Sequence, residues 1–311
     1  MVIWIAFIVF IIVMLLIDLL VLNRKGVAFT HKKTAIETFL WITLAMSFAL
    51  VIYWLYNNGL VQNINNLSPT EAVIKYITGY LIELSLSVDN LFVIAMLFAS
   101  FKIPLKHQHK VLFYGILGAI VFRGLMIWAG ILLIQKISWI TYIFGVLMLF
   151  TAFRMLVKDE GDSEKPSRFK SYLYQKFKVS DTQNGDKFFV VENGIKFATP
   201  LFIALLMIEA TDLLFAIDSI PAILAVTTDP FIVLTSNIFA VLGLRSMYFF
   251  LANMLEQFKY LKYSVFTILV FVGLKLMTIH FFKFPEWFSL SFIGVSLLLG
   301  ILVSLLHKNT K

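Results

Sequence analysis

Nine apolar runs of membrane-crossing length, some with carboxylates inside them, leave this chain few ways to fold. A hydrocarbon core is crossed by roughly 20 mostly apolar residues, and such runs occur at about 2–22, 35–56, 72–101, 110–134, 138–156, 198–227, 231–255, 263–282 and 286–306. With 60% of its 311 residues hydrophobic and 14% charged, the chain lacks the polar surface a water-soluble domain of this length presents. The alternation of a β-barrel is absent. The sequence therefore reads as an all-α membrane protein of about nine transmembrane helices. Residues 1–22 lack a basic n-region and a small-residue cleavage site, so they read as a retained span and not as a signal peptide.

The basic residues sort by connection. The first, third, fifth and seventh connections and the C-terminus carry twenty Lys and Arg, and the alternate connections only Lys75, Lys136 and Lys283. Cytoplasmic loops are the basic ones, which puts the N-terminus outside and the C-terminus in the cytoplasm of a multi-pass cell-membrane protein. The same sorting sets aside a nucleic-acid partner, despite the net charge of +8, because the charge forms no patch. There is no cysteine, which excludes disulfides, thiolate metal ligands and cysteine catalysis.

A spacing recurs. Glu83 to Asp89-Asn90 matches Asp212 to Asp218-Ser219, and each motif is followed one span later by an arginine, Arg123 in VFRGLMI and Arg245 in GLRSMYF. An odd number of helices per copy turns the second copy upside down, and inverted repeats around a midplane site are a transporter architecture. The expected organisation is two N-terminal helices over 1–70 and a first three-helix repeat over 71–157. A cytoplasmic linker with a short hairpin follows over 158–197, then a second, inverted repeat over 198–284 and a last helix with its tail over 285–311. The hairpin is expected where β-rich strings flank Asn193-Gly194, a type I′ turn pair.

Six carboxylates fall inside the expected spans and more than three residues from their ends, Asp18, Glu83, Asp89, Glu209, Asp212 and Asp218, with three cations, Arg123, Arg245 and Lys275. A charge at the bilayer centre costs about 2.5–3.5 kcal/mol on insertion scales, so such groups face a cavity or a partner. Structural ion pairing by Arg123 and Arg245 accounts for part of the set. If all are ionised, three negative charges remain, and these need protons or a metal ion. At ~100° per residue, Glu83, Ser87 and Asn90 share one helix face, and Glu209, Asp212 and Ser219 another, while Asp89 and Asp218 point away. Either those aspartates serve another interface or the helices break there. Pro221 favours a break beside Asp218, because it removes the hydrogen bond to the Ile217 carbonyl. Carboxylates and free carbonyls suit a hard cation. The five histidines lie at or near run ends and read as loop or interface residues. Gly115, Gly118, Ala119 and Gly243 read as helix-packing positions.

The segments ELSLSVDNLFV, HQHKVLFYGILGAIVFRG, EATDLLFAIDSIPAI and FAVLGLRSMYFFL together resemble the TerC family, near its Alx-like members. LLIDLLVLNRKG with THKKTAIETFLWITLAMSF resembles the family's N-terminus, and VVENGIKFATPLF the segment before its second motif, so the likeness covers nearly the whole chain. The family is named for tellurium resistance, is grouped with the LysE-type transporters, and is regarded as exporting divalent cations, chiefly Mn²⁺. The resemblance implies that Glu83, Asp89 and Asn90 form the first acidic motif, Glu209, Asp212, Asp218 and Ser219 the second, and Asp18 the aspartate of the first span.

The expectation is a non-enzymatic secondary transporter that exports Mn²⁺ in exchange for protons. Glu83, Asp89, Asn90, Glu209, Asp212 and Asp218 hold the cation, and Asp18, Arg123, Arg245, Ser219 and Lys275 serve as ion-pairing or gating groups. No resident cofactor is expected. Partners are the lipid bilayer, Mn²⁺ and H⁺, with a second copy of the chain or the translocation machinery as protein contacts. Two rival classes are a membrane scaffold or biogenesis factor docking through the hairpin, and an intramembrane aspartyl hydrolase using Asp89 and Asp218.

Overall fold

The computed structural model describes residues 2–18, 31–101, 103–137, 139–157, 173, 176–177, 179, 187–192, 194–251, 260–278, 281–282 and 284–307. Nine long helices and one hairpin are present among them: α1 (Val2–Ile17), α2 (His31–Asn57), α3 (Pro69–Ser100), α4 (Leu105–Lys136), α5 (Ile140–Val157), β1 (Phe189–Glu192), β2 (Ile195–Ala198), α6 (Pro200–Leu224), α7 (Pro230–Leu251), α8 (Leu261–Thr278) and α9 (Glu286–His307). Each apolar run holds one helix. Five of the helices are long and apolar enough to cross a membrane by length and composition, within Lys32–Asn57, Leu105–Lys136, Pro200–Leu224, Pro230–Phe250 and Trp287–Ser304. The first 16 described residues of α1 and Ile140–Phe150 of α5 are shorter apolar helices.

Burial runs opposite to that of a soluble protein. Leu50 is 75% exposed and Trp128 66%, while Arg123, Glu83, Ser87 and Asn237 are at or below 1%. Lipid tails solvate the apolar exterior, and polar groups that lipid cannot serve turn inward. The helix at the centre is α7, with 94% of its apolar window buried. It packs on α2, α3 and α4, while α6 lies against α3, α4 and α5. α5 pairs closely with α8, and α9 covers α8 and α3. α1 is fixed to α2 and α7 by aromatic rings: Trp4 and Phe7 meet Phe231 edge-on, and Phe10 lies near Phe48 and Phe239.

Local chemistry sets the helix ends. Ser68 and Glu71 close a capping box on α3, with Pro69 at its first turn. α2 stops at Gly59, whose φ of 61° favours glycine, and Leu60 N–H reaches back to the Leu55 carbonyl at 3.0 Å. Asp229 is wholly buried and caps α7, its Oδ1 accepting from the N–H of Phe231 and Ile232 at 3.0 and 3.2 Å. The two strands pair antiparallel with Glu192 opposite Ile195 across a two-residue turn, where Gly194 has φ 77°.

The expected helix break beside Asp218 does not occur. α6 runs through it to Leu224, and α3 likewise runs unbroken through Asp89. Pro221 sits in the last turn of α6, where only one helical bond is left to lose, and the Pro221 carbonyl accepts from Ala225 N–H at 3.0 Å. A proline there ends a helix and does not interrupt one.

Two glycines bring a pair of helices together backbone to backbone. A Cβ on Gly145 of α5 would lie 2.9 Å from the Gly273 carbonyl oxygen, and a Cβ on Gly273 of α8 would lie 3.1 Å from the Gly145 oxygen. Both positions need the missing side chain for α5 and α8 to touch backbone to backbone.

Candidate functional site

Arg123 gathers the site. It projects from the middle of α4 and is 1% exposed. Its Nη1 donates to Glu83 Oε1 of α3 in a close ion pair and to Asn237 Oδ1 of α7 at 3.3 Å. Nη2 and Nε donate to the two oxygens of Asp212 on α6, at 2.8 and 3.3 Å. This fork-to-carboxylate geometry is open to arginine and not to lysine. One side chain thereby ties four helices at the point where α3, α4, α6 and α7 meet. Two carboxylates face one guanidinium, so the triad keeps a negative charge if both are ionised.

The two helices that bring Glu83 and Asp212 to the triad also carry buried oxygens without partners among the described residues. Glu83 Oε2 is buried and has no hydrogen-bond partner among the described residues, nor have Ser87 Oγ and Asn90 Oδ1. These three share a face of α3, because 83, 87 and 90 are spaced by one turn each. On α6, Glu209 Oε2 and Ser219 Oγ are in the same condition. The Glu209 carboxylate sits against Gly118 of α4 so closely that a Cβ at 118 would overlap it. An unpartnered buried polar group costs about 1–3 kcal/mol, more if charged, and with Ser85 Oγ of α3, also unpartnered, the two facing helices carry six such oxygens, which call for a ligand that serves oxygen. Carboxylate, hydroxyl and carboxamide oxygens without thiol or imidazole are the donor set of a hard cation such as Mg²⁺, Ca²⁺ or Mn²⁺. Among the described residues no three His, Asp or Glu side chains form a ready metal cage. The side chains of Asp89 and Asp218, central to the sequence expectation, lie outside the described residues.

The second arginine does something else. Arg245 of α7 forms a close ion pair with Asp18 Oδ1, at the end of α1, and its Nη2 also reaches the Asp18 carbonyl at 3.3 Å. Glu37 of α2 lies near this pair and meets Lys33 at 3.7 Å. Matching sequence positions thus lead to different partners: Arg123 holds the acidic motifs, and Arg245 holds a helix outside them. Lys275, 6% exposed, reaches Ser289 Oγ of α9 at 3.1 Å, at the α8–α9 interface.

Sequence reasoning passed over Asn237, which is fully buried within the triplet Thr235-Ser236-Asn237. The signal was a run of three polar residues in an apolar segment, uncharged and therefore unweighed. It also treated Gly118 as a packing residue and passed over Asp229. Only tertiary structure reveals that the surface packed on Gly118 is a carboxylate.

The model of the integral membrane protein TerC family matches residues 68–311. The chain is 43% identical over 309 residues to a Photorhabdus laumondii protein named "Putative membrane-bound redox modulator Alx", covering 97% of this chain and 95% of that one. It is 45% identical over 304 residues to the Escherichia coli K12 protein of the same name, covering 96% and 91%. A Rickettsia bellii "Uncharacterized membrane protein" is 42% identical over 310 residues, covering 98% of each. No solved structure matches.

Proposed function

Since the chain belongs to the integral membrane protein TerC family, we propose that it is a cell-membrane secondary transporter that carries a divalent cation, foremost Mn²⁺, out of the cytoplasm in exchange for protons. The observation that carries this reading is the set of unpartnered buried oxygens, Glu83 Oε2, Ser87 Oγ, Asn90 Oδ1, Glu209 Oε2 and Ser219 Oγ, on the two helices that bear the acidic motifs. Structural ion pairing alone leaves them unexplained, because Arg123 satisfies one oxygen of Glu83 and none of Glu209.

An inverted pair of three-helix repeats is part of the proposal, and the packing supports it. Exchanging α3 with α6, α4 with α7 and α5 with α8 maps the main contacts onto each other. The packing of α3 on α7 becomes that of α6 on α4, and the α3–α6, α4–α7 and α5–α8 pairs each map onto themselves. The reciprocal Gly145–Gly273 contact obeys the same exchange. Such a pair can rock about a fixed midplane site to open it alternately to each side.

The relatives' name refers to redox. This chain has no cysteine, so thiol chemistry of its own is closed to it, and a redox effect would follow from the metal it moves. Cellular metal content, element by element, tests the function. Expression should lower Mn²⁺, and Asp89→Asn or Asp218→Asn should abolish that change with the protein still inserted. Full Mn²⁺ export by both variants would sink the midplane site.

A further inference from the structure

Glu83 presents two oxygens to two different environments. Oε1 is held by Arg123, and Oε2 is buried without a partner among the described residues. Asp212 is held through both oxygens by the same guanidinium. A divalent cation drawn to this oxygen set meets a fixed positive charge already seated on two of its strongest ligands. The two cations repel each other in a site of low dielectric, so they compete for Glu83 and Asp212. Asn237 Oδ1, at 3.3 Å from Nη1, offers the guanidinium a neutral acceptor on a different helix from either carboxylate.

From this we infer that Arg123 is a tethered counter-cation, which takes the transported ion's place on Glu83 and Asp212 in the unloaded carrier and yields it on loading. The inference rests on the transport reading and adds a step to it. The metal first meets Glu83 Oε2 with Ser87 and Asn90 on the same face of α3. It then draws away Oε1 and the Asp212 oxygens as Arg123 shifts its hydrogen bonds towards Asn237. When the ion leaves, the guanidinium closes on the carboxylates again. The unloaded carrier then carries one negative charge fewer at these groups, needs only one proton there to be neutral, and can return without metal. Arg123 therefore lowers the affinity for metal and makes net export possible. A purely structural arginine would do neither, and its loss would weaken binding and transport together.

The two roles separate in liposomes holding the purified full-length protein, with Mn²⁺ as the only probe. Two quantities are read, net Mn²⁺ flux down a gradient and exchange of labelled for unlabelled Mn²⁺ at equal concentrations, with equilibrium Mn²⁺ binding in detergent as a third. Arg123→Gln should bind Mn²⁺ at least tenfold more tightly than the parent, keep exchange, and lose net flux. Arg123→Lys keeps the charge and loses the two-toothed grip on Asp212, so it should bind with intermediate affinity and retain slower net flux. If Arg123→Gln does not fold, Arg123→Lys decides alone: tighter Mn²⁺ binding than the parent supports the inference, and equal or weaker binding overturns it. A folded Arg123→Gln protein that loses binding, exchange and net flux in parallel also overturns it. A parent protein that neither binds nor moves Mn²⁺ defeats the transport reading itself, a result distinct from either of these.

Discussion

At Gly118 a single hydrogen atom stands where any other residue would press a carbon into the Glu209 carboxylate. The position lies in the interior of α4, where exchanging glycine for alanine ordinarily gains about 1 kcal/mol of helix propensity. Overpacking a tight contact costs about 1–3 kcal/mol, so the two effects nearly cancel in overall stability. The carboxylate must nevertheless move. Gly118→Ala should therefore melt within a few degrees of the parent in detergent and lose Mn²⁺ export by about tenfold or more, the factor that corresponds to about 1.4 kcal/mol of misplaced ligand. Export at the parental rate would show that Glu209 takes no part in cation binding. Much of this residue-scale detail was legible only as a list of suspects. Charges in apolar runs announce themselves by their cost, so Glu83, Asp212, Arg123 and Arg245 could be named from sequence. Their pairing could not, because Arg123 meets Glu83 across 40 residues of chain and Asp212 across 89, and no local periodicity encodes such distances. Asn237 carries no charge, and so its burial had no signature loud enough to single it out.

Helices were the readable scale. Each is a run of apolar residues long enough to satisfy its own backbone, and a lipid-facing exterior demands that satisfaction without help from tertiary partners. The place where element-level reading failed is Pro221, which was weighed for its chemistry and not for its distance from the helix end. Contacts between elements were harder to read. Gly115, Gly118 and Gly243 were taken as approach points, whereas among the described glycines it is Gly145 and Gly273, on α5 and α8, whose side chains would meet a neighbouring helix's backbone. A glycine in a membrane helix is too common a feature to indicate which neighbour it faces. The contact itself makes a firm prediction. A side chain at residue 145 meets Met277 Cγ at 2.5 Å and the Gly273 backbone at 2.9 Å, and backbone cannot step aside as a flexible chain end can. Gly145→Leu should separate α5 from α8 and destabilise the protein by about 1–3 kcal/mol or more, seen as a lowered melting temperature in detergent. A melting temperature equal to the parent's would mean that the two helices do not pack this way.

For the molecule as a whole, the testable statement is orientation. The charge sorting predicts that the connection after α2 lies outside and the long segment before β1 inside, with a cytoplasmic C-terminus. The natural absence of cysteine makes the parent protein its own unlabelled background. Single cysteines at Asn63, Ser171 and Lys308 should react with an impermeant reagent from outside, inside and inside; the last two positions lie outside the described residues. Labelling of Ser171→Cys in intact cells would invert the assignment and with it the direction of transport. Whole-molecule architecture was legible as the order of the helices among the described residues. It was not legible as an arrangement, because the burial of α7 beneath α2, α3 and α4 follows from packing that the helix pattern leaves open.

The Arg245–Asp18 pair has a consequence in time. Its members are 227 residues apart, and a ribosome adding about 5–20 residues per second needs about 11–45 s to cover that distance. An α1 that enters the bilayer as it is made therefore carries its aspartate through most of translation before the matching arginine exists. Glu83 waits for Arg123 through only 40 residues, about 2–8 s at the same pace. The acidic centre can thus close early, around α3 and α4, while α1 stays a provisional member of the bundle until α7 arrives to claim it. A ribosome stalled between these two events would leave a chain with its inner charges partly settled and its first helix still unmoored.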